Sequence, residues 1–426
     1  MLASIMAAFK LPDLRKRIVF LFGMFAVFVV GLHIPVPGID REAMAKLFEQ
    51  GSLLGLVDIF SGGALRKFTI FAMGIAPYIN ASIIMQLLTI AVPSLEALAK
   101  EGEHGRKKIS QYTRYLTILL AAFQAVGMNN LLQRWGVLQA GPFMFFQIVI
   151  TLTAGTAFLM WVGEQITDKG IGNGVSLVIF AGIVASLPWQ LHQTLELATV
   201  GAIKLPQLLA AGILFLGTVV GIVAIQQAQR KIPIQHVKRV VGHKVYGGSS
   251  SFLPLRVNSA GVIPIIFAIS IQLFPITIAQ FVGTGSAVGR WVSDVAGRFQ
   301  PGASIWAALL YAGFIIFFTY FYTAVTFNVP EVAENLKKYG SFIPGIRPGK
   351  PTLEYLDRVM SRITLAGALF LAVIALMQYW SPQLTGVQTF TLMGGTSLLI
   401  VVGVALDTMQ ALEAHLLMRH YEGFIK

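Results

Sequence analysis

The chain contains no cysteine, which excludes disulfides, thiolate metal sites and cysteine nucleophiles. Charge is nearly as scarce. Only 12% of the residues are Asp, Glu, Lys or Arg, against about 25% in ordinary soluble domains, so a water-soluble globule of this length is excluded. Seven stretches, 68–95, 135–163, 170–191, 205–229, 257–289, 299–330 and 363–406, hold no Asp, Glu, Lys, Arg or His. Each is long enough for a helix to cross a bilayer core, which takes roughly 20 apolar residues. Ion-coupled transporters, proton pumps and voltage sensors place ionisable groups at membrane depth, and none stands near the centre of these stretches. No H-E-x-x-H pair and no paired intramembrane carboxylate occurs, so intramembrane hydrolysis has no candidate residues. The phosphate-binding pattern G-x-x-x-x-G-K-[ST] is missing too. His33, His104, His192, His236, His243, His415 and His420 all fall at span ends or in loops, where solvated histidine is expected rather than a metal ligand. No catalytic residue, metal or cofactor is expected.

What is present is apolar sequence in ten blocks. Spans are expected near 18–34, 70–91, 110–128, 143–163, 172–190, 206–228, 259–282, 304–326, 362–380 and 392–409. The 44-residue stretch 363–406 must be two spans, because a single helix rising about 1.5 Å per residue would be about twice the hydrocarbon thickness. Ser381, Pro382 and Gly386 supply the break. Of the 32 Lys and Arg residues, 24 lie in alternate inter-span segments together with both termini. The positive-inside rule makes that side cytoplasmic, and it accounts for most of the net charge of +13. The basic start followed by Ile18–Leu32 is superficially like a signal peptide, but no small-residue cleavage site follows and a retained first span is expected.

Three segments go beyond simple topology. Gly51–Lys67 is apolar, interrupted by Asp58 and too short to span, which suits a re-entrant helix or an amphipathic helix on the outer surface. The loop at 229–257 presents Arg230, Lys231, Lys238, Arg239, His243, Lys244 and Arg256, and its alternation about Gly242–His243 suits a β-hairpin. The loop at 327–361 is of similar size. Loops so large suggest a cytosolic partner, with RNA phosphate, an acidic protein face or anionic lipid as possible chemistries. Gly74-Ile-Ala-Pro77 and Gly261-Val-Ile-Pro264 are also compatible with broken helices of a small-solute secondary transporter.

The strings FSGGAL (60–65), IFAMGIAPYINASIIMQLL (70–88), EGEHGRKKISQYTRY (101–115), GEQITDKGIGNGVSLVIFAGIV (163–184), NSAGVIPIIFA (258–268), FIPGIRPG (342–349) and GGTSLLIVVGVALDT (394–408) resemble the SecY family of protein-conducting channels, in order over nearly the whole chain. The resemblance implies an all-α polytopic membrane protein of ten transmembrane helices in two pseudo-symmetric five-helix halves, 1–190 and 191–426, joined externally around 191–205. It implies a channel subunit that passes unfolded secretory polypeptides across the bacterial plasma membrane and releases membrane segments sideways into lipid; it does not imply an enzyme. By motif, an aliphatic pore ring falls on Ile75, Ile79, Val175, Ile179, Ile266 and Ile400, with Val175 smaller than the isoleucine often found there. A plug helix at about 51–67 would carry Val57, Phe60, Ser61, Gly62 and Gly63. Asn80, Gln124 and Asn258 match polar contacts of a lateral gate. The basic loops, with Arg347 of FIPGIRPG, would dock the ribosome and the SecA motor ATPase. Other implied partners are SecE- and SecG-like small membrane subunits, signal-sequence-bearing polypeptides and membrane lipid.

Overall fold

The structure is a computed structural model and describes residues 9–39, 44, 58, 61–138, 141–236, 239–241, 244–246, 250–282, 287–299, 304–387 and 395–422. Val57, Phe60, Lys238 and His243 lie outside the described residues, and of Arg239 and Lys244 only the backbone is described. The protein is predominantly helical. Ten helices correspond to the ten expected spans: α1 (Pro12–Gly31), α2 (Ala76–Ala91), α4 (Glu103–Arg134), α5 (Pro142–Lys169), α6 (Gly174–Thr199), α7 (Leu205–Gln227), α8 (Ile263–Val282), α10 (Ile305–Thr326), α12 (Lys350–Thr385) and α13 (Thr396–Glu422). Shorter helices are α3 (Pro93–Lys100), α9 (Ala287–Phe299) and α11 (Val329–Lys338). Among the described residues, seven helices are by themselves long and apolar enough to cross a membrane, and α2 with α3 forms a pair bent by 99°. The chain is thus a multi-pass membrane protein.

Helix ends follow the local chemistry. Proline stands in the first turn of α1, α2, α5, α7 and α12, where its missing N–H costs nothing and its fixed φ favours the helix. Asn173, Ser304 and Asn328 accept hydrogen bonds from backbone amides of α6, α10 and α11. α12 stops where Gly386 turns left-handed at φ 72°, a conformation glycine adopts without strain. Threonine hydroxyls inside the spans donate back to carbonyls four residues earlier, as at Thr117, Thr153, Thr218, Thr319 and Thr408, which leaves fewer polar groups unpaired in lipid.

Two expected spans begin later than apolarity alone suggests. Residues 70–75 form turns, and α2 starts at Ala76 after Gly74 at φ 56°. Likewise α8 starts at Ile263 after Gly261 at φ 65°. In both, glycine takes the left-handed turn and proline occupies the first helical turn; the Gly-x-x-Pro sites are therefore helix starts and not breaks within a span. At the far end of α6 the helix runs through residue 190 to Thr199, so the link to α7 is five residues, 200–204, rather than the expected 191–205. His192 and Glu196 face one another at 3.5 Å on this extension.

One core cluster draws buried residues from α1, α2, α5, α6, α7, α8, α10, α12 and α13. A second joins Val36, Leu65, Phe68 and Ala72 to Ala121, Leu132, Ile148 and Leu152 of α4, its adjoining turns and α5. The two large basic loops share a third. β1 (Gln229–His236) pairs antiparallel with β4 (Ser250–Arg256) and, on its other edge, with β5 (Ser341–Phe342), giving the order β4-β1-β5. Ile232, Leu255, Ala333, Ile343, Leu356 and Met360 pack beneath it. The expected hairpin pairing is present: β2 (Arg239–Val241) pairs antiparallel with β3 (Lys244–Tyr246), Val241 opposite Lys244. The loops are thus one folded platform with its own apolar centre.

Candidate functional site

The helix starts set by Gly74 and Gly261 position aliphatic side chains. Ile75 is the residue that opens α2, and Ile79 follows one turn later, its amide donating to the Ile75 carbonyl at 3.1 Å. Val175 and Ile179 lie in the first two turns of α6, Ile266 in the first of α8 and Ile400 near the start of α13. The four helices bring all six into the same apolar cluster. Ile75, Ile179 and Ile400 are 1%, 2% and 1% exposed, while Ile79, Val175 and Ile266 are half-buried and pack against the same core. These helices also touch one another: α6 packs on α13, and α8 on both α2 and α4. A constriction lined only by aliphatic carbons offers water and ions no hydrogen-bond partner and resists both.

Beside it lies the segment following Asp58. The Asp58 carboxylate accepts from the backbone amides of Leu65 and Arg66, both at 3.0 Å, and from the Ser61 hydroxyl at 3.2 Å. What interrupts the apolar run in sequence is therefore the acceptor that folds it into a turn. Burial holds this carboxyl above its ordinary value, and the amide donors, the Ser61 hydroxyl and the Arg66 charge offset only part of that rise. Ser61, Ala64 and Leu65 are buried. Gly62, at φ 70°, lies directly against the backbone of Gly182 in α6. Next comes Phe68, a buried aromatic held at φ 43°, a left-handed conformation that costs a bulky residue on the order of 1–3 kcal/mol. It is fixed by backbone bonds: the Phe68 amide donates to Leu65 O and its carbonyl accepts from Val36 N, while Ile70 N donates to Ile34 O. Phe28, Phe71 and Phe158 then stack in series at 5.9 and 6.0 Å.

Replacing Asp58 separates its two roles. Asp58→Asn keeps an acceptor oxygen and is expected to keep the turn, whereas Asp58→Leu takes from the Arg66 amide the acceptor Asp58 supplies, at about 1–3 kcal/mol, and leaves the Leu65 amide only the Ser61 hydroxyl at 3.2 Å. Limited proteolysis around Arg66 and Lys67 in membranes should be unchanged in the first variant and faster in the second; equal rates would refute the assignment.

The other sequence-identified residues are placed less uniformly. Asn258 is buried, and its side-chain amide donates to Gly261 O at 3.0 Å, so it holds the turn before α8. Asn80 and Gln124 are half-buried, and no hydrogen bond joins the three amides to one another among the described residues. Arg230 and Lys231 project from β1 into solvent, and Arg347 is exposed while its carbonyl accepts from the Thr352 hydroxyl at 2.8 Å. Arg256 is instead engaged with Gln410 of α13 at 2.9 Å. Sequence reasoning misses two pairs that bridge elements. Arg114 of α4 bonds Glu164 of α5 at 2.6 Å, and the Arg66 guanidinium sits 4.0 Å above the Trp189 ring. Partners 50 and more than 100 positions apart leave no local signal.

Known proteins resemble this chain in sequence and fold. The SecY family profile matches residues 69–409. The protein translocase subunit SecY of Escherichia coli strain K12 is 47% identical over 98% of this chain and 95% of its own length; that of Pseudomonas aeruginosa is 48% identical over 98% and 94%, and that of Streptomyces coelicolor 46% over the whole of both. Among solved structures, one described as the structure of a protein conducting channel superposes with a TM-score of 0.67 at 19% identity, over 94% of this chain and 92% of that one. Sec61 in the canine ribosome-channel complex superposes at 0.63 with 17% identity over the same shares. At such identities these two speak for the fold alone. Family profile and full-length relatives agree with the order of motifs along the sequence, and the chain belongs to the SecY family.

Proposed function

We propose that this chain is the pore-forming subunit of a protein translocase, passing unfolded polypeptides across a membrane through the apolar cluster of Ile75, Ile79, Val175, Ile179, Ile266 and Ile400. The observation that supports the reading is that four helices place all six side chains in the same apolar core of a SecY-family fold. An aliphatic waist grips no particular side chain and so suits a substrate of arbitrary sequence. Residues 1–190 and 191–426 form two halves that separate to open it, Ser61–Gly63 belong to the plug that closes its outer side, and α2 and α4 against α8 form the lateral exit for membrane segments. The solute-transporter reading loses its structural motive, because its supposed helix breaks are helix starts.

The chain resides in the bacterial plasma membrane with both termini in the cytoplasm, as the bias of its basic residues supports. Its platform docks a SecA-like motor ATPase and the ribosome, and small SecE- and SecG-like subunits complete the complex. The exposed side chain of Arg347 contributes charge to that docking surface. Arg347→Glu is expected to reduce ATP-driven export at least several-fold while leaving the amount of chain in the membrane unchanged, since a rim charge acts on encounter more than on folding. Export assays in membrane vesicles check this, and wild-type rates would count against it.

The direct test is photo-crosslinking from Ile179 and Ile400 in vesicles holding the reconstituted complex and a translocation-arrested precursor. Phe317, 59% exposed on α10, serves as the lipid-facing control. Adducts to the precursor from the two waist positions, dependent on its signal sequence, are expected. Adducts to lipid alone would overturn the pore.

A further inference from the structure

We propose that Arg66 and Trp189 form a latch that fixes the plug segment to α6 and sets how readily the outer seal opens. The proposal rests on the channel reading above and assigns positioning roles within it. Several anchors of the segment lie in the first half of the chain. Gly62 abuts Gly182 of α6, with Phe28 of α1 also against that glycine. Leu65 and Phe68 are embedded in the cluster built with α4 and α5. The Arg66 guanidinium lies over Trp189 near the end of α6. The segment's backbone is organised so that this cation is presented: Asp58 accepts from the amides of Leu65 and Arg66 themselves, which pins the residue whose side chain reaches the ring.

Two features make the contact a latch rather than part of the core. Trp189 is 45% exposed and Arg66 half-buried, whereas Ala64 and Leu65 beside them are 0% exposed. The pair therefore sits at the rim of a sealed patch and can part without unpacking the interior. It also follows Pro188 within α6, where the proline removes a backbone hydrogen bond. The ring is thus carried by the less constrained end of the helix, while Gly182, two turns earlier, holds the backbone contact. Opening of the channel then means departure of the second half from a plug base that stays with the first.

The absence of cysteine makes the test clean. Ala64→Cys places a single buried thiol under the latch, and a membrane-impermeant maleimide is applied to the outer face of right-side-out vesicles containing the full-length chain with its co-purifying subunits. Trp189→Leu keeps apolar bulk and removes the π face; Arg66→Gln keeps length and removes charge; Trp189→Phe keeps a face. The first two are expected to raise the labelling rate about three- to tenfold, in line with the strength of a partly desolvated cation–π pair. Trp189→Phe is expected to stay within about twofold, and the double variant Arg66→Gln/Trp189→Leu to label no faster than the faster single, because contacting residues are not additive. Unchanged labelling in both Trp189→Leu and Arg66→Gln, equal acceleration by Phe and Leu, or additive rates would overturn the latch. Precursor crosslinking from Ile179 in the same vesicles reports separately on the channel, so failure of one reading is distinguishable from failure of the other.

Discussion

Gly62→Val is expected to open the resting channel to small ions and dyes. A Cβ at residue 62 would stand 2.7 Å from the Gly182 Cα and 2.9 Å from its carbonyl oxygen, backbone atoms that no rotamer change can move. The residue also holds φ 70°, a region that β-branched side chains adopt at a cost of roughly 1–3 kcal/mol. Strain and overlap together place the loss of the seated state above about 3 kcal/mol, enough to shift its population more than about a hundredfold. Gly63 supplies the control. It too has positive φ, at 83°, but nothing lies within 4 Å of a Cβ built there, so Gly63→Ala carries conformational strain alone and a far smaller leak. Dye efflux from proteoliposomes without precursor separates the two. Equal leakage from both variants would mean that the Gly62–Gly182 contact does not seat the segment.

The second large effect falls on folding. Gly174 opens α6 against α5, and a Cβ there would collide with the Gly163 carbonyl and stand 2.8 Å from the Thr167 amide. The Thr167 hydroxyl ties the crossing together, donating to Gly163 O at 3.0 Å and accepting from Gly174 N at 2.9 Å. Asn173 caps the same helix by accepting from the Ser176 amide at 3.2 Å. Gly174→Leu must therefore separate two helices whose backbones touch and lose their bridging hydroxyl, a combination expected to exceed about 4 kcal/mol. The chain should disappear from membranes or become protease-sensitive throughout. Gly163→Ala is the contrast: its Cβ would meet a Val175 methyl at 3.4 Å, ordinary contact, and near-normal levels are expected. Equal levels of both variants would remove the close crossing as a determinant of the fold.

The spans are readable in sequence because lipid leaves so little freedom. A helix is the only single segment that satisfies its own backbone there, so charge-free stretches alone locate nearly all ten. What hydropathy cannot resolve is where, within an apolar stretch, helix begins. Residues 70–75 are as apolar as those after them, yet Gly74 and Pro77 place the start of α2 at Ala76, and the aliphatic cluster depends on that offset. Helices also run past the membrane where polar sequence continues them: α4 begins at Glu103 and α12 at Lys350. The six aliphatic positions were accessible only through family resemblance, since isoleucine in a span is ordinarily packing or lipid-facing. Asp58 carries the opposite lesson. Its charge reads as an interruption of an apolar helix, and only the folded backbone turns it into the acceptor for Ser61, Leu65 and Arg66. The platform core escapes sequence because Ile232, Leu255, Ala333 and Ile343 come from two loops separated by three helices.

β5 is two residues long, yet it makes the platform and α12 a single mechanical part. The strand is hydrogen-bonded to β1 on one side, and eight residues later the chain enters a helix of 36 residues, about 54 Å long against a hydrocarbon layer of about 30 Å. A load applied at the loops is then carried along this helix as by a lever, whose only internal proline, Pro382, lies within the last turn.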